Sequence, residues 1–170
     1  MGLLKNINEN NRQAWLRQAL AALPQGSRIL DAGAGELRNR KHCKHLDYVS
    51  QDFAQHLGLG RYGDPVDPKG YARGLAHLAA LLKPEGLLYL STPMGRERVE
   101  FNANWVFAPR TILDLAAANG LRLQRFLVFS PASGMAEIEM ASIDQAIARL
   151  AEQHYQLAVM QFVKPSGASK

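Results

Sequence analysis

Cysteine is nearly missing from this chain: Cys43 is the one thiol among 170 residues, so no internal disulfide can form. No apolar run approaches the roughly 20 residues needed to cross a bilayer. Asn6 stands where a myristoylation pattern prefers Ser or Thr, so no lipid anchor is indicated. The opening MGLLKNINENN turns polar after four residues, too soon for a secretory signal. These gaps together predict a cytoplasmic protein. Paired Cys and His clusters are lacking too: His42, Cys43 and His45 do not have the spacing of a zinc site, and no metal is expected. There is no internal repeat and no low-complexity tract.

What is present describes a folded domain. With 47% hydrophobic and 21% charged residues the chain is neither disordered nor membrane-embedded, and its length suits one domain over residues 1–170 with one core. A net charge of +5 favours anionic partners. Basic residues interleaved with aromatics are lacking, which argues against nucleic acid. Much of the positive charge lies in RNRKHCKH, where Arg38, Arg40, Lys41 and Lys44 form either a solvated helix face or an electropositive lip beside a phosphate-bearing substrate.

Apolar periodicity predicts a helix from about Asn8 to Leu23, ended by Pro24-Gln25-Gly26. SRILDAGAGE then reads as a strand entering a tight turn, and LDYVSQDF as a second strand. GLGRYGDPVDPKG is too rich in Gly and Pro for anything but a loop. A helix from Tyr71 to Leu82, the strand LLYLSTP, a helix from Pro109 to a glycine cap at Gly120, and the strand LRLQRFLVF follow. Ser142 and Gln145 have capping-box spacing ahead of a last helix, and YQLAVMQFV makes a last strand. Strands alternating with helices predict an α/β fold with a largely parallel sheet.

The chemistry concentrates in LDAGAGE. Gly33 and Gly35 let backbone approach a ligand closely, with Ala34 between them, and a following helix would point its N–H groups at that ligand. In a GxGxxG dinucleotide site the third glycine would fall at Arg38, which argues against NAD. Asp31 suits an amino group or ribose hydroxyls. Asp52, near the end of the second strand, stands where a nucleotide fold places an acid on the ribose diol. The order strand, glycine turn, helix, strand, acid points to a nucleoside-containing cofactor.

With these motifs the chain resembles the class I S-adenosylmethionine-dependent methyltransferases. LDAGAGE is similar to their first motif, YVSQDF to their ribose-binding motif, and LLKPEGLLYLSTP to their later core. The resemblance implies S-adenosylmethionine as cofactor, with Asp31, Gly33, Ala34 and Gly35 along its methionine and ribose, Asp52 on the ribose hydroxyls and Phe53 beside the adenine. Leu37 replaces the family's third glycine. The implied fold is a Rossmann-like three-layer sandwich with a mostly parallel sheet, shortened from the usual seven strands, because only residues 53–70 separate the acid from the next helix. LDYVSQDF is then the second strand of that fold, or the fourth.

A narrower resemblance, over about residues 55–164, is to a methyltransferase-like domain-of-unknown-function family carrying GLGRYGDP. Gln55 stands for that family's glutamate, and Asn104-Trp105 for its His-Arg pair.

On the acceptor side, Arg61, Tyr62 and Asp64 either engage a ligand or form a salt-bridged turn. His56 is either a general base or a packed residue. His56, Tyr62 and Asp64 are thus the catalytic candidates, and Arg61, Arg96 and Asn102 the substrate-binding ones, with Arg98 beside them. The alternative to a loop over the crevice at 96–104 is a solvated loop pinned by Phe101 and Trp105. The function these residues predict is methyl transfer to a small acceptor, such as a sugar or glycan precursor. The alternative is a degenerate module that binds cofactor or partner without turnover. The expected partners are the small-molecule acceptor and a second copy in a homo-oligomer, without membrane or nucleic acid.

Overall fold

The computed structural model describes residues 2–51, 70–100, 105–130 and 134–167. Asp52, Phe53, His56, Arg61, Tyr62, Asp64 and Asn102 lie outside the described residues, as do Gln55, Phe101 and Asn104. Among the described residues no helix is long and apolar enough to cross a membrane.

The contacts gather into two compact units, Gln13–Val66, and Met1–Arg12 together with Asp67–Lys170. Helix α1 (Gly2–Ala21) contributes to both, and it begins earlier than the periodicity predicts because the residues before Asn8 also adopt helical backbone. The first unit also holds strands β1 (Arg28–Ala32) and β2 (Asp47–Gln51), paired in parallel from Arg28 opposite Asp47 to Ala32 opposite Gln51. Both strands lie inside the segments read as strands from the sequence.

The larger unit contains α2 (Gly70–Leu81), β3 (Leu87–Met94), β4 (Arg98–Val99), β5 (Trp105–Val106), α3 (Pro109–Ala118), β6 (Arg122–Ser130), β7 (Gly134–Glu137), α4 (Ile143–Ala151) and β8 (Gln156–Val163). Its main sheet has the order β3-β8-β6-β7, and every adjacent pair is antiparallel. This corrects the expectation of a mostly parallel sheet. β3 and β6, joined through α3, run the same way, but β8 is inserted between them in the opposite direction. Leu157, Ala158, Val159 and Met160 are all buried, so β8 is covered on both faces, and a continuous apolar run carries no information on strand direction. β7 escapes sequence reading because Gly134-Met135-Ala136-Glu137 has neither β-branched residues nor alternation.

One face of the sheet packs on α2, α3 and α4 through Leu75, Ala79, Ile112, Ala116, Leu150, Phe126, Met160 and Phe162. Three local devices fix the helices. Pro109 opens α3 after Ala108, whose side chain cannot cap; the Glu97 carboxylate instead accepts the Ala108 N–H at 3.1 Å and the Thr111 hydroxyl. Gly120, at φ +74°, closes α3 in the left-handed cap expected of it. Ser142 does not form the expected capping box; its hydroxyl donates to the Glu139 carbonyl at 3.1 Å, within a 3₁₀ turn that precedes α4.

At the C-terminal end of α2 the Lys164 ammonium donates to the carbonyls of Ala79 (3.1 Å) and Leu82 (2.8 Å). A cation there satisfies orphan carbonyls and complements the helix dipole. Lys164→Met is expected to lower the unfolding free energy by about 1.5–3 kcal/mol, the range for hydrogen bonds from a charged group. Urea denaturation measures this, with Lys164→Arg losing less.

Candidate functional site

The site read from the sequence begins where β1 ends. After Ala32 the chain reverses through Gly33 at φ +75° and Gly35 at φ +48°, left-handed conformations that suit residues without a Cβ. The Gly33 and Ala34 N–H groups both donate to one acceptor, the carbonyl of Gln51 at the end of β2, at 2.8 and 3.2 Å. Among the described residues no atom lies within 4 Å of where a Gly33 Cβ would stand.

The helix expected after this turn does not form. Leu37 N–H bonds back to Ala34, Arg40 N–H to Leu37, and only a 3₁₀ turn at Arg40–His42 follows. The local N–H groups close turns on their own chain, so no α-helix N-terminus faces a ligand here. Leu37, in the place of the resembled family's third glycine, adopts φ +56°. The backbone shape associated with glycine therefore persists without the glycine, at a steric cost to the Leu side chain.

Asp31, partly buried in β1, is the centre of a polar cluster. Its Oδ2 accepts the Tyr48 hydroxyl at 2.7 Å and the Asn39 Nδ2–H at 3.1 Å. Asn39 in turn offers its main-chain carbonyl to the Cys43 thiol at 3.4 Å. Burial first, and then the bond to Asp31, push the Tyr48 phenol well above its usual range. Burial and Asp31 also push the Cys43 thiol up, which leaves it protonated and unreactive at neutral pH. Tyr48 and Asn39 were not predicted from the sequence. The parallel register sets Tyr48 opposite Ile29 rather than Asp31, and Asn39 reaches back across eight residues of turn, so neither spacing reveals the contact.

The basic run is not a helix face: it lies in turns, with Arg38 paired to Glu36 at 2.9 Å. It is electropositive all the same. Burial, then Lys41 and Arg17, hold the His42 imidazole below its usual range.

In the larger unit, Arg96 and Arg98 follow β3, in the segment expected to be a loop. There β4 and β5 pair Arg98 with Val106 and Val99 with Trp105. Trp105 stacks on Phe107 with ring centres 5.8 Å apart, and Tyr71 meets Phe107 edge-on at 5.0 Å. Arg98 turns out to be a staple: Nη1 donates to the carbonyls of Arg96 (3.0 Å) and His154 (2.6 Å), and Nε to Glu100 (2.7 Å). Arg96 lies on the rim of a cleft of about 200 Å³ shared with Arg98, Glu152 and His154. Its guanidinium stands 3.9 Å from Glu152, and both side chains are about three-quarters exposed, so that pair binds weakly and leaves Arg96 available.

Two outcomes test this geometry. Gly33→Ala should cost about 1–2 kcal/mol of stability by chemical denaturation, since the strain is conformational and no neighbour is displaced. Because the Tyr48 pKa is raised on folding, its stabilisation is complete below about pH 10 and is lost as pH rises from there toward the folded-state value. Unfolding free energy measured against pH should fall on the alkaline side, and less steeply in Tyr48→Phe.

Solved structures share this fold. The described chain is similar to phosphoethanolamine N-methyltransferase 2 of Haemonchus contortus in complex with S-adenosyl-L-methionine, with TM-score 0.54, 12% identity, and coverage of 92% of this chain and 53% of that one. It therefore spans about half the length of that enzyme. It is also similar to the 1,6-didemethyltoxoflavin-N1-methyltransferase of Burkholderia thailandensis with bound S-adenosylhomocysteine (TM-score 0.51, 16% identity, 96% and 86% coverage). A third similar structure is the [4+2]-cyclase SpnF (TM-score 0.52, 15% identity, 92% and 81% coverage). Likeness at these identities establishes an α/β methyltransferase-like fold. No curated protein matches the sequence. A family match does exist, beginning and ending earlier than the resemblance over 55–164: residues 35–119, half of the chain, match "Caenorhabditis protein of unknown function, DUF268", and the chain belongs to that family.

Proposed function

We propose that this chain binds S-adenosylmethionine and transfers its methyl group to a small acceptor, such as a sugar or glycan precursor. The observation that carries the reading is the turn at Asp31–Gly35 closing a parallel β1–β2 pair, within a fold shared with methyltransferases solved in complex with this cofactor or its demethylated product. The residues fit the group. Among the described residues nothing crowds Gly33, and Asp31 offers a partly buried carboxylate to a ligand's amino or hydroxyl donors. Asp31, Gly33, Ala34 and Gly35 would line the methionine and ribose, Asp52 would take the ribose hydroxyls, and Phe53 would border the adenine.

When bound, the cofactor supplies a methyl group on a sulfonium. The protein's task is then to hold an acceptor in line with that group and exclude water, which needs no dedicated catalytic dyad. Arg96, exposed on its cleft, suits an anionic part of the acceptor. Arg61 and Asn102 are further candidates for binding the acceptor, with His56, Tyr62 and Asp64 as candidates for orienting or deprotonating the nucleophile. A homo-oligomer is the proposed assembly.

A second reading is a degenerate module that holds cofactor or partner without turnover; the fold alone does not require methyl transfer, since a similar structure is described as a [4+2]-cyclase. Calorimetric titration separates the cofactor reading from its failure. S-adenosylmethionine and S-adenosylhomocysteine should bind, NAD much more weakly, and Asp52→Ala should weaken binding by about 1.5–3 kcal/mol. A folded protein that binds neither adenosyl ligand at millimolar concentration overturns the proposal. Methyl transfer to a panel of sugar nucleotides and glycan precursors supports the enzyme; binding without transfer supports the module.

A further inference from the structure

We propose that the methyl acceptor carries a terminal carboxylate, which the Arg96 guanidinium receives at the cleft it shares with Arg98, Glu152 and His154, and that Glu152 selects this monoanion over a phosphate. The inference deepens the methyl-transfer reading above and rests on it for the identity of the ligand as an acceptor.

The cleft lies where β3 ends and β8 begins, beyond the carboxyl end of β3, the side on which α/β sheets place their ligands. Its walls are fixed through backbone. The Gly95 N–H donates to the Phe107 carbonyl at 2.9 Å and the Arg96 N–H to the Gln153 carbonyl at 2.8 Å, while Arg98 Nη1 bridges the carbonyls of Arg96 and His154. Arg98 is thus used in holding the walls together. Arg96 leaves the same fixed backbone with its side chain unengaged: among the described residues its one ionic neighbour is Glu152 at 3.9 Å, too far for a hydrogen bond.

The charges in and around the cleft set what it can take. Glu100 answers Arg98, 2.5 Å from its Nη2. That Nη2 also stands 3.4 Å from His154 Nε2; a guanidinium only donates, so this nitrogen accepts and the imidazole adds no charge. Glu97 is taken by the Ala108 N–H and the Thr111 hydroxyl. Residues 101–104, outside the described ones, are Phe-Asn-Ala-Asn and bring no charge; Asp67 and Lys69 of this unit also lie outside them and are opposite in sign. Among the described residues the rim therefore offers one cation to a ligand, with one carboxylate beside it. The flat fork of Arg96 matches the two oxygens of a carboxylate, and Glu152, three-quarters exposed, can turn to water as the ligand takes its place. A phosphomonoester carries up to two negative charges, and the second meets Glu152 with no further cation to answer it. At about 200 Å³ the cleft is smaller than the roughly 300 Å³ or more of a pocket for a whole small molecule, so it suits a terminal group, which a phosphodiester is not.

The test titrates the full chain at neutral pH with glucuronate, glucose 6-phosphate and glucose, three sugars that differ at one carbon. The wild type is expected to bind glucuronate about tenfold more tightly than glucose, and more tightly than the phosphate. Arg96→Gln should abolish the advantage over glucose, and Arg96→Lys, which keeps the charge without the fork, should restore part of it. Glu152→Gln should strengthen the phosphate more than glucuronate. Both side chains are exposed, and thermal unfolding of each variant checks that the fold is kept. A wild type that does not favour glucuronate over glucose, including one that binds neither, overturns the inference. So does a preference for the phosphate, or an advantage of glucuronate that survives Arg96→Gln. S-adenosylhomocysteine titrated into the same samples reports on the cofactor reading separately, so binding of that ligand without discrimination among the sugars overturns the inference and leaves the cofactor reading standing.

Discussion

The carbonyl of Gln51 governs the geometry of the candidate site. It is the last acceptor of β2, and it takes the N–H groups of Gly33 and Ala34. Two backbone donors on one oxygen leave the turn little freedom, because moving either residue breaks a bond to the neighbouring strand. The chain must then reverse at once, which is why left-handed backbone is needed at Gly33 and again at Gly35. Asp31, two residues upstream, inherits its position from the same constraint. A loop that ended β1 without this tie would present the same side chains over a range of positions, and a binding site depends on their being held within a fraction of an ångström.

The larger unit rests on a different constraint, the insertion of β8 between β3 and β6. Its side chains are buried on both faces, and it supplies Ala158, Met160 and Phe162 to the core that the helices cover. Its far end leads into Lys164, which reaches the last turn of α2, while the Lys164 main chain pairs with Glu85 and Gly86 where β3 begins. One strand therefore fixes the sheet, and the residue after it fixes the helix that precedes that sheet. At the opposite end, the turn before β8 meets the segment after β3. The Gln153 carbonyl accepts the Arg96 N–H at 2.8 Å, and a Cβ on Gly95 would come within 2.6 Å of that same carbonyl. Gly95 is required there because backbone approaches backbone, and the approach sets where Arg96 leaves the fold.

The sequence was most informative where physical chemistry is local. Apolar periodicity placed α2, Pro109 and Gly120 marked the two ends of α3, and the glycines after Asp31 marked the turn. It was least informative where the deciding interaction joins distant residues. Strand direction in β8 depends on pairing with β3 and β6, and an apolar run reads alike in either direction. Glu97 caps a helix eleven residues further on, at a spacing that no local pattern reveals. Arg98 looked like a ligand-facing cation, and its donors go instead to backbone fifty-six residues away. The basic run suggested a helix because charge composition says nothing about a left-handed residue such as Leu37, which turns the chain before a helix can nucleate.

The same contrast explains why Asp31 could be picked from the sequence and its environment could not. A carboxylate before a glycine turn is visible as a string of letters; the two donors that converge on one of its oxygens are not. Oδ2 belongs to the fold, because Tyr48 and Asn39 use it to tie β2 and the turn segment to β1. Asn39 carries a cost for that tie: its NH₂ serves Oδ2 while its own side-chain oxygen is buried and, among the described residues, meets no donor.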